Sequence, residues 1–88
     1  MVDSNNIYKQ IKIGNYILRY FPNKDKRKLF WHRDEKNREI RVLFGSVKLQ
    51  LDNELPSFLK KFYKYNISKN VYHRVISDNP FLILIKEK

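Results

Sequence analysis

Every apolar run in this chain is short, and each is closed by a cluster of turn-forming residues. The longest is Phe81–Ile85, far too short to span a bilayer. The turn clusters are Pro22-Asn23-Lys24-Asp25-Lys26, Asp34-Glu35-Lys36-Asn37, Asp52-Asn53-Glu54-Leu55-Pro56 and Asp78-Asn79-Pro80, all rich in residues that favour turns. Between them the apolar residues alternate. Ile11 to Phe21 reads as one strand, with Ile11, Ile13 and Ile17 on one side and Tyr16, Leu18 and Tyr20 on the other. Leu29 to Asp34 reads as a second. Arg38 to Phe44 is a third, with Ile40, Val42 and Phe44 on one face. Val47, Leu49 and Leu51 alternate with Lys48, Gln50 and Asp52. Val71, His73 and Val75 share a side, and Phe81 to Ile85 reads as a buried last strand. Ser57 to Asn66 fits two patterns. Phe58, Leu59, Phe62 and Tyr63 make a helical face opposite Lys60, Lys61 and Lys64, while Tyr65-Asn66-Ile67 also fits the start of a strand. Short strands joined by short turns along the whole chain predict an all-β sandwich or barrel.

With 88 residues the chain supports one domain, residues 1–88, and one modest core, with 1–8 as a loose lead-in. It has no cysteine, which excludes disulfides and thiolate metal sites. A small unstapled chain with surplus apolar and aromatic positions is expected to self-associate, as a homodimer or a larger ring. The polar opening Met1–Asn6 resembles no secretory signal, so a cytoplasmic location away from membranes is expected. The net charge of +10 and pI near 9.9 favour anionic partners: a nucleotide, nucleic acid or an acidic surface. The chain also lacks Ala and Thr and is rich in Lys, Asn, Ile and Tyr, the composition an AT-rich genome writes, which is a second source for the charge.

The segment from Trp31-His32-Arg33-Asp34 to Gly45 resembles the first motif of the cupin family. That motif has two His one residue apart, a Glu a few residues on, then an apolar strand ending in Gly. His32 matches the first His and Gly45 the closing Gly. Asp34 stands where the second His belongs, and Glu39 lies near the Glu position, one residue too close to the Gly. Ile67-Ser68-Lys69-Asn70-Val71-Tyr72-His73 is similar to the second motif, which runs Pro, any residue, Gly, two residues, His. His73 matches its His, while Ser68 and Asn70 replace Pro and Gly. The Asn-Glu-Leu-Pro turn, the Trp-His-x-Asp segment, Gln50 and the His73-Arg74 pair resemble small stand-alone cupins of tailed phages. The resemblance covers about residues 29–85. It implies a double-stranded β-helix barrel, and a phage or prophage origin with a place in the host cytoplasm.

His32 and Asp34, two apart on a strand, project from one face. The resemblance implies that they converge with His73 at the barrel mouth. Two imidazoles and a carboxylate suit Fe(II), Mn(II), Ni(II) or Zn(II), with positions left open for substrate. The alternative is structural: Asp34 orients His32 or caps a turn, and His73 is a satisfied barrel histidine. Arg38, Arg41 and Arg74 suit a phosphate or carboxylate because guanidinium binds bidentately. Lys48 and Gln50 belong to the same expected ligand site, Gln50 on the strength of the resemblance. Trp31 and Tyr72, with Phe30, Tyr16 and Tyr20, offer rings for a base or a dimer interface. Lys24 to Lys28 is a basic run suited to nucleic acid, or a solvated loop. With only Gly14 and Gly45 there is no phosphate-cradling glycine loop, and no Ser lies in a nucleophile elbow.

Three functions fit, in this order. The first is a binding module for an anionic small molecule, a nucleotide being the fitting chemistry; the resemblance implies sequestration of a host signalling nucleotide. The second is a metal-dependent hydrolase or oxygenase using His32, Asp34 and His73. The third is a nucleic-acid-binding accessory protein.

Overall fold

The computed structural model describes residues 8–22 and 31–88. Lys24–Lys28, Phe30, most of the lead-in and the start of the strand expected at Leu29 lie outside the described residues.

The strand expected over 11–21 is two. β1 (Lys9–Ile13) and β2 (Tyr16–Phe21) form a hairpin in which Ile13 pairs with Tyr16. Gly14 takes φ +59° while Asn15 does not go positive, as in a type II′ turn, the kind whose twist suits a two-residue hairpin. The turn changes which residues share a face, because directly opposed residues point the same way. Ile13 goes with Tyr16 and Ile11 with Leu18. Ile11 and Ile13 are therefore 61% and 72% exposed, while Ile17 is 4% exposed. The expected grouping of all three is corrected by the turn.

β3 (Arg38–Phe44), β4 (Lys48–Leu51), β7 (His73–Ile76) and β8 (Phe81–Glu87) lie close to the expected spans. The stretch 57–66 holds no helix: it gives β5 (Ser57–Phe58), and β6 (Tyr65–Ile67) begins at its end. Between them the Leu59 amide donates to the Val47 carbonyl and the Phe62 amide to the Val42 carbonyl. Those cross-chain bonds satisfy backbone groups a helix would have paired internally. Only Leu59 of the four apolar residues reaches the core; Phe58, Phe62 and Tyr63 are exposed.

The described residues form two antiparallel sheets, a five-stranded one ordered β1-β2-β8-β3-β6 and a three-stranded one ordered β5-β4-β7. Register lays the inner face of the larger sheet out in rows: Ile17–Ile85–Ile40, then Arg19–Ile83–Val42, then Phe21–Phe81. The Phe21 and Phe81 rings stack at 4.4 Å. Val47, Leu49, Leu59 and Ile67 complete the core. Phe44, expected to face inward with Ile40 and Val42, is exposed. A bulge between Val42 and Phe44 shifts the register, and an extra residue reverses the facing of the residues after it.

Candidate metal centre and its cavity

The segment around Trp31–Asp34 is not a regular strand. It still runs antiparallel along the free edge of β7. His32 and His73 exchange both backbone bonds, N to O at 3.0 and 2.8 Å, and the Asn70 amide donates to the Asp34 carbonyl at 2.7 Å. Such a directly opposed pair sets two side chains on one face; the two imidazoles lie 4.3 Å apart between ring centroids. Asn70 takes φ +65° in the turn closed by the Val71 amide and the Ser68 carbonyl. Asparagine tolerates the left-handed region. The residue standing where the second motif has Gly thus makes the turn that glycine would make.

One ligand atom each from His32, Asp34 and His73 lies within 4.8 Å of the others. His73 Nε2 is 3.4 Å from Asp34 Oδ2, and His32 Nε2 is 3.9 Å from it. His73 is 3% exposed. Its Nδ1 lies 2.9 Å from the Val71 carbonyl, a contact that makes a bond only if Nδ1 carries the proton. Burial pushes the imidazole below its ordinary value, and His32 acts in the same direction, against the Val71 bond and Asp34. Neutral His73 therefore turns an Nε2 lone pair towards a carboxylate oxygen. Asp34 Oδ2 is buried and accepts no hydrogen bond among the described residues. A buried carboxylate oxygen without a donor is costly. Lone pairs meeting with no proton between them fit a cation, and the Val71 carbonyl supplies the outer support that metal-binding histidines use.

Arg38 lies between two carboxylates, 3.2 Å from Asp34 Oδ1 and 2.6 Å from Glu87 Oε2. The Arg38 bond holds the Glu87 carboxyl below its ordinary value, against the opposing effect of burial. A depressed folded-state value contributes stability above the unfolded one, near pH 4.3 for glutamate, and that stability is lost as pH falls through the folded-state value. The melting temperature of Glu87→Gln is expected to fall less steeply than the parent's below about pH 4.3. Parallel acid limbs in a thermal series from about pH 5 to 2.5 would refute this.

The cluster opens onto a cavity of about 170 Å³. Its walls are apolar: Phe21, Ile40, Val75, Ile83 and Ile85. Tyr8, Arg19 and Arg38 line it beside the two histidines. Of the seven expected ligand residues, only Arg38 is among its lining. Arg41 faces outward and pairs with Glu39 at 3.8 Å. Glu39, near the motif's Glu position, also reaches Lys88 at 3.5 Å and stays outside the cluster. Trp31, Lys48, Gln50, Tyr72 and Arg74 belong to the opposite side of the smaller sheet. There Arg74 stacks over Trp31 at 5.0 Å and donates to Gln50 Oε1 at 2.9 Å. Gln50 in turn donates to the Glu54 carbonyl. Arg33 lies over Tyr72 and Lys48 over Phe58. Alternation forces this: His73 and Val75 point in, so Tyr72 and Arg74 point out. These cations lie outside the cavity, which is smaller than the roughly 300–1,000 Å³ of most small-molecule sites.

Two residues at the cavity, Arg19 and Tyr8, were not expected there. For Arg19 the signal existed: it falls in step with Ile17 and Phe21, and a charge on the apolar side of a strand is rare unless partnered.

No helix among the described residues is long and apolar enough to cross a membrane. No protein-family model and no curated protein matches the chain. Among solved structures it is similar to an RmlC-like cupin with a double-stranded β-helix fold from Methanocaldococcus jannaschii, at 14% identity and a TM-score of 0.67, over 99% of this chain and 86% of that one. It is also similar to the DMSP lyase DddQ from Ruegeria pomeroyi, at 16% identity and a TM-score of 0.72, over 83% of this chain and 36% of that one. A third is the Fe(II) form of HppE, at 14% identity and a TM-score of 0.63, over 83% and 41%. The chain thus spans little more than a third of the length of the lyase. The fold is the cupin double-stranded β-helix.

Proposed function

We propose that this chain is a metal-dependent cupin, with His32, Asp34 and His73 holding one divalent ion at the cavity mouth. The observation that carries the reading is Asp34 Oδ2, buried without a hydrogen bond among the described residues and facing His73 Nε2 across 3.4 Å. Two imidazoles and a carboxylate are the ligand set of Fe(II), Mn(II), Ni(II) and Zn(II) sites that keep positions open. A bound ion of this kind supplies Lewis acidity and an acidified water. The chain's own residues do the rest. The Val71 carbonyl fixes the His73 tautomer, Arg38 orients Asp34 through its other oxygen, and the apolar walls exclude water from a compact substrate. The Fe(II) form of HppE, similar in fold, lends support, and a metal-dependent enzyme fits better than a nucleotide-binding module.

The test is native mass spectrometry of stripped protein re-equilibrated with each ion, Fe(II) under anaerobic conditions. One ion per chain is expected for the parent. His32→Ala and His73→Ala, with unchanged circular dichroism, are expected to lose at least a hundredfold in affinity. A parent that takes no ion, or variants that keep it, would overturn the reading. The same spectra count subunits. Self-association is part of the proposal, supported by the exposed outer face of the larger sheet, where Ile11, Ile13, Tyr16 and Tyr20 lie uncovered.

A further inference from the structure

Among the described residues two guanidinium groups line the cavity, and they are not equivalent. Arg38 is neutralised by Asp34 and Glu87. Arg19 has no carboxylate partner among the described residues. Its Nε donates to the neutral Gln10 side chain at 2.9 Å, and its guanidinium carbon lies 4.1 Å over the Tyr8 ring. Those contacts hold the group in place and leave its two terminal nitrogens without a hydrogen-bond partner among the described residues. Register sets Arg19 in the inner row with Ile83 and Val42, one row from Ile17 and Ile85. A cation there, beside apolar walls, is disfavoured unless something answers its charge. Gln10 carries no charge, and the Tyr8 ring answers that of Arg19 only in part, by cation–π attraction.

We infer that Arg19 is the anion-binding residue of this site, and that the substrate is a compact organic acid whose carboxylate meets Arg19 while its short apolar body fills the cavity. The inference rests on the metal-site reading for what happens to the acid, but not for its binding. Guanidinium matches a carboxylate with two parallel bonds, and the pairing strengthens where water is thin. Size sets the rest of the class. The cavity of about 170 Å³ is close to the ~150 Å³ that accommodates a benzene ring in an engineered apolar cavity. Acids of about four to seven carbons fit that space. Burial also lowers the Arg19 value, with Arg38 acting the same way, against the opposing effects of Tyr8, Asp34 and Glu87.

The experiment is calorimetric titration of the full chain with isobutyrate, its neutral isostere isobutyramide, and inorganic phosphate, each with and without a saturating divalent ion. Isobutyrate is expected to bind at least tenfold more tightly than the amide. Arg19→Gln is expected to remove that preference, Arg19→Lys to restore part of it, and both to keep metal uptake at the parent level. Equal binding of acid and amide overturns the inference, as does a preference that survives Arg19→Gln. Phosphate binding ten times tighter than isobutyrate overturns the organic-acid class. An Arg19-dependent preference that persists without metal, in protein that takes up no ion, supports this inference while removing the metal reading. Full metal uptake with no acid binding does the reverse.

Discussion

Gly45→Ala is expected to destabilise the protein by about 3 kcal/mol or more, which for a domain of this size lowers the melting temperature by roughly 12–24 °C. Gly45 has φ +92°, and a Cβ there would stand 2.6 Å from the Pro80 carbonyl oxygen and 2.7 Å from Phe81 Cβ. Phe81 is held: it is among the most buried side chains and stacks on Phe21. Relief would have to come from separating the end of β3 from the start of β8. Gly14 supplies the control. Its φ is +59° but nothing among the described residues lies within 4 Å of the added carbon, so Gly14→Ala meets only the left-handed penalty of about 1–2 kcal/mol. Equilibrium unfolding in urea measures both. Equal losses would sink the steric argument.

Asp34→Asn is expected to separate stability from metal binding. At a divalent ion concentration about a hundred times its dissociation constant, the parent gains about 2.7 kcal/mol, or roughly 11–22 °C. The variant loses that shift, because its amide presents a donor where the ion needs a lone pair. Without metal the same amide can donate to His73 Nε2, now 3.4 Å from Asp34 Oδ2, and its oxygen can still accept from Arg38. The metal-free variant should therefore melt within about 1 kcal/mol of the parent, since a neutral hydrogen bond replaces part of an ion pair. Thermal scans with chelator and with Mn(II) read both quantities. A parent without a metal shift, or a metal-free variant that collapses, would contradict both expectations.

The strands were legible because alternation and turn residues are local. Ile40 and Val42, or Val47 and Leu49, announce their faces by spacing alone. The reading of one strand failed at Gly14-Asn15, a two-residue hairpin signal that changes which residues share a face. Alternation failed at Phe44, where a bulge reverses facing. Over 57–66 the helical spacing was real, but Leu59 and Phe62 spend their amides on Val47 and Val42, and only Leu59 reaches the core. Arg41 and Arg74 looked like ligand groups by residue type. Their strand positions turn them to the outer faces, while Arg19, a charge set in an apolar row, lines the cavity.

By itself, then, the sequence determined an all-β chain, the turns at 34–37, 52–56 and 78–80, and the glycine that closes the β3 segment, each a matter of interactions between near neighbours. The resemblance added His32, Asp34 and His73 as candidate metal ligands. Tertiary structure alone decided that His32 and His73 pair across about forty residues of chain, that Arg38 is neutralised by Asp34 and Glu87, and that Arg19 has no carboxylate to neutralise it among the described residues. Those outcomes depend on strand order and register, which bring together residues far apart in sequence. The charge of a cavity is a sum over such residues, and no local pattern records it.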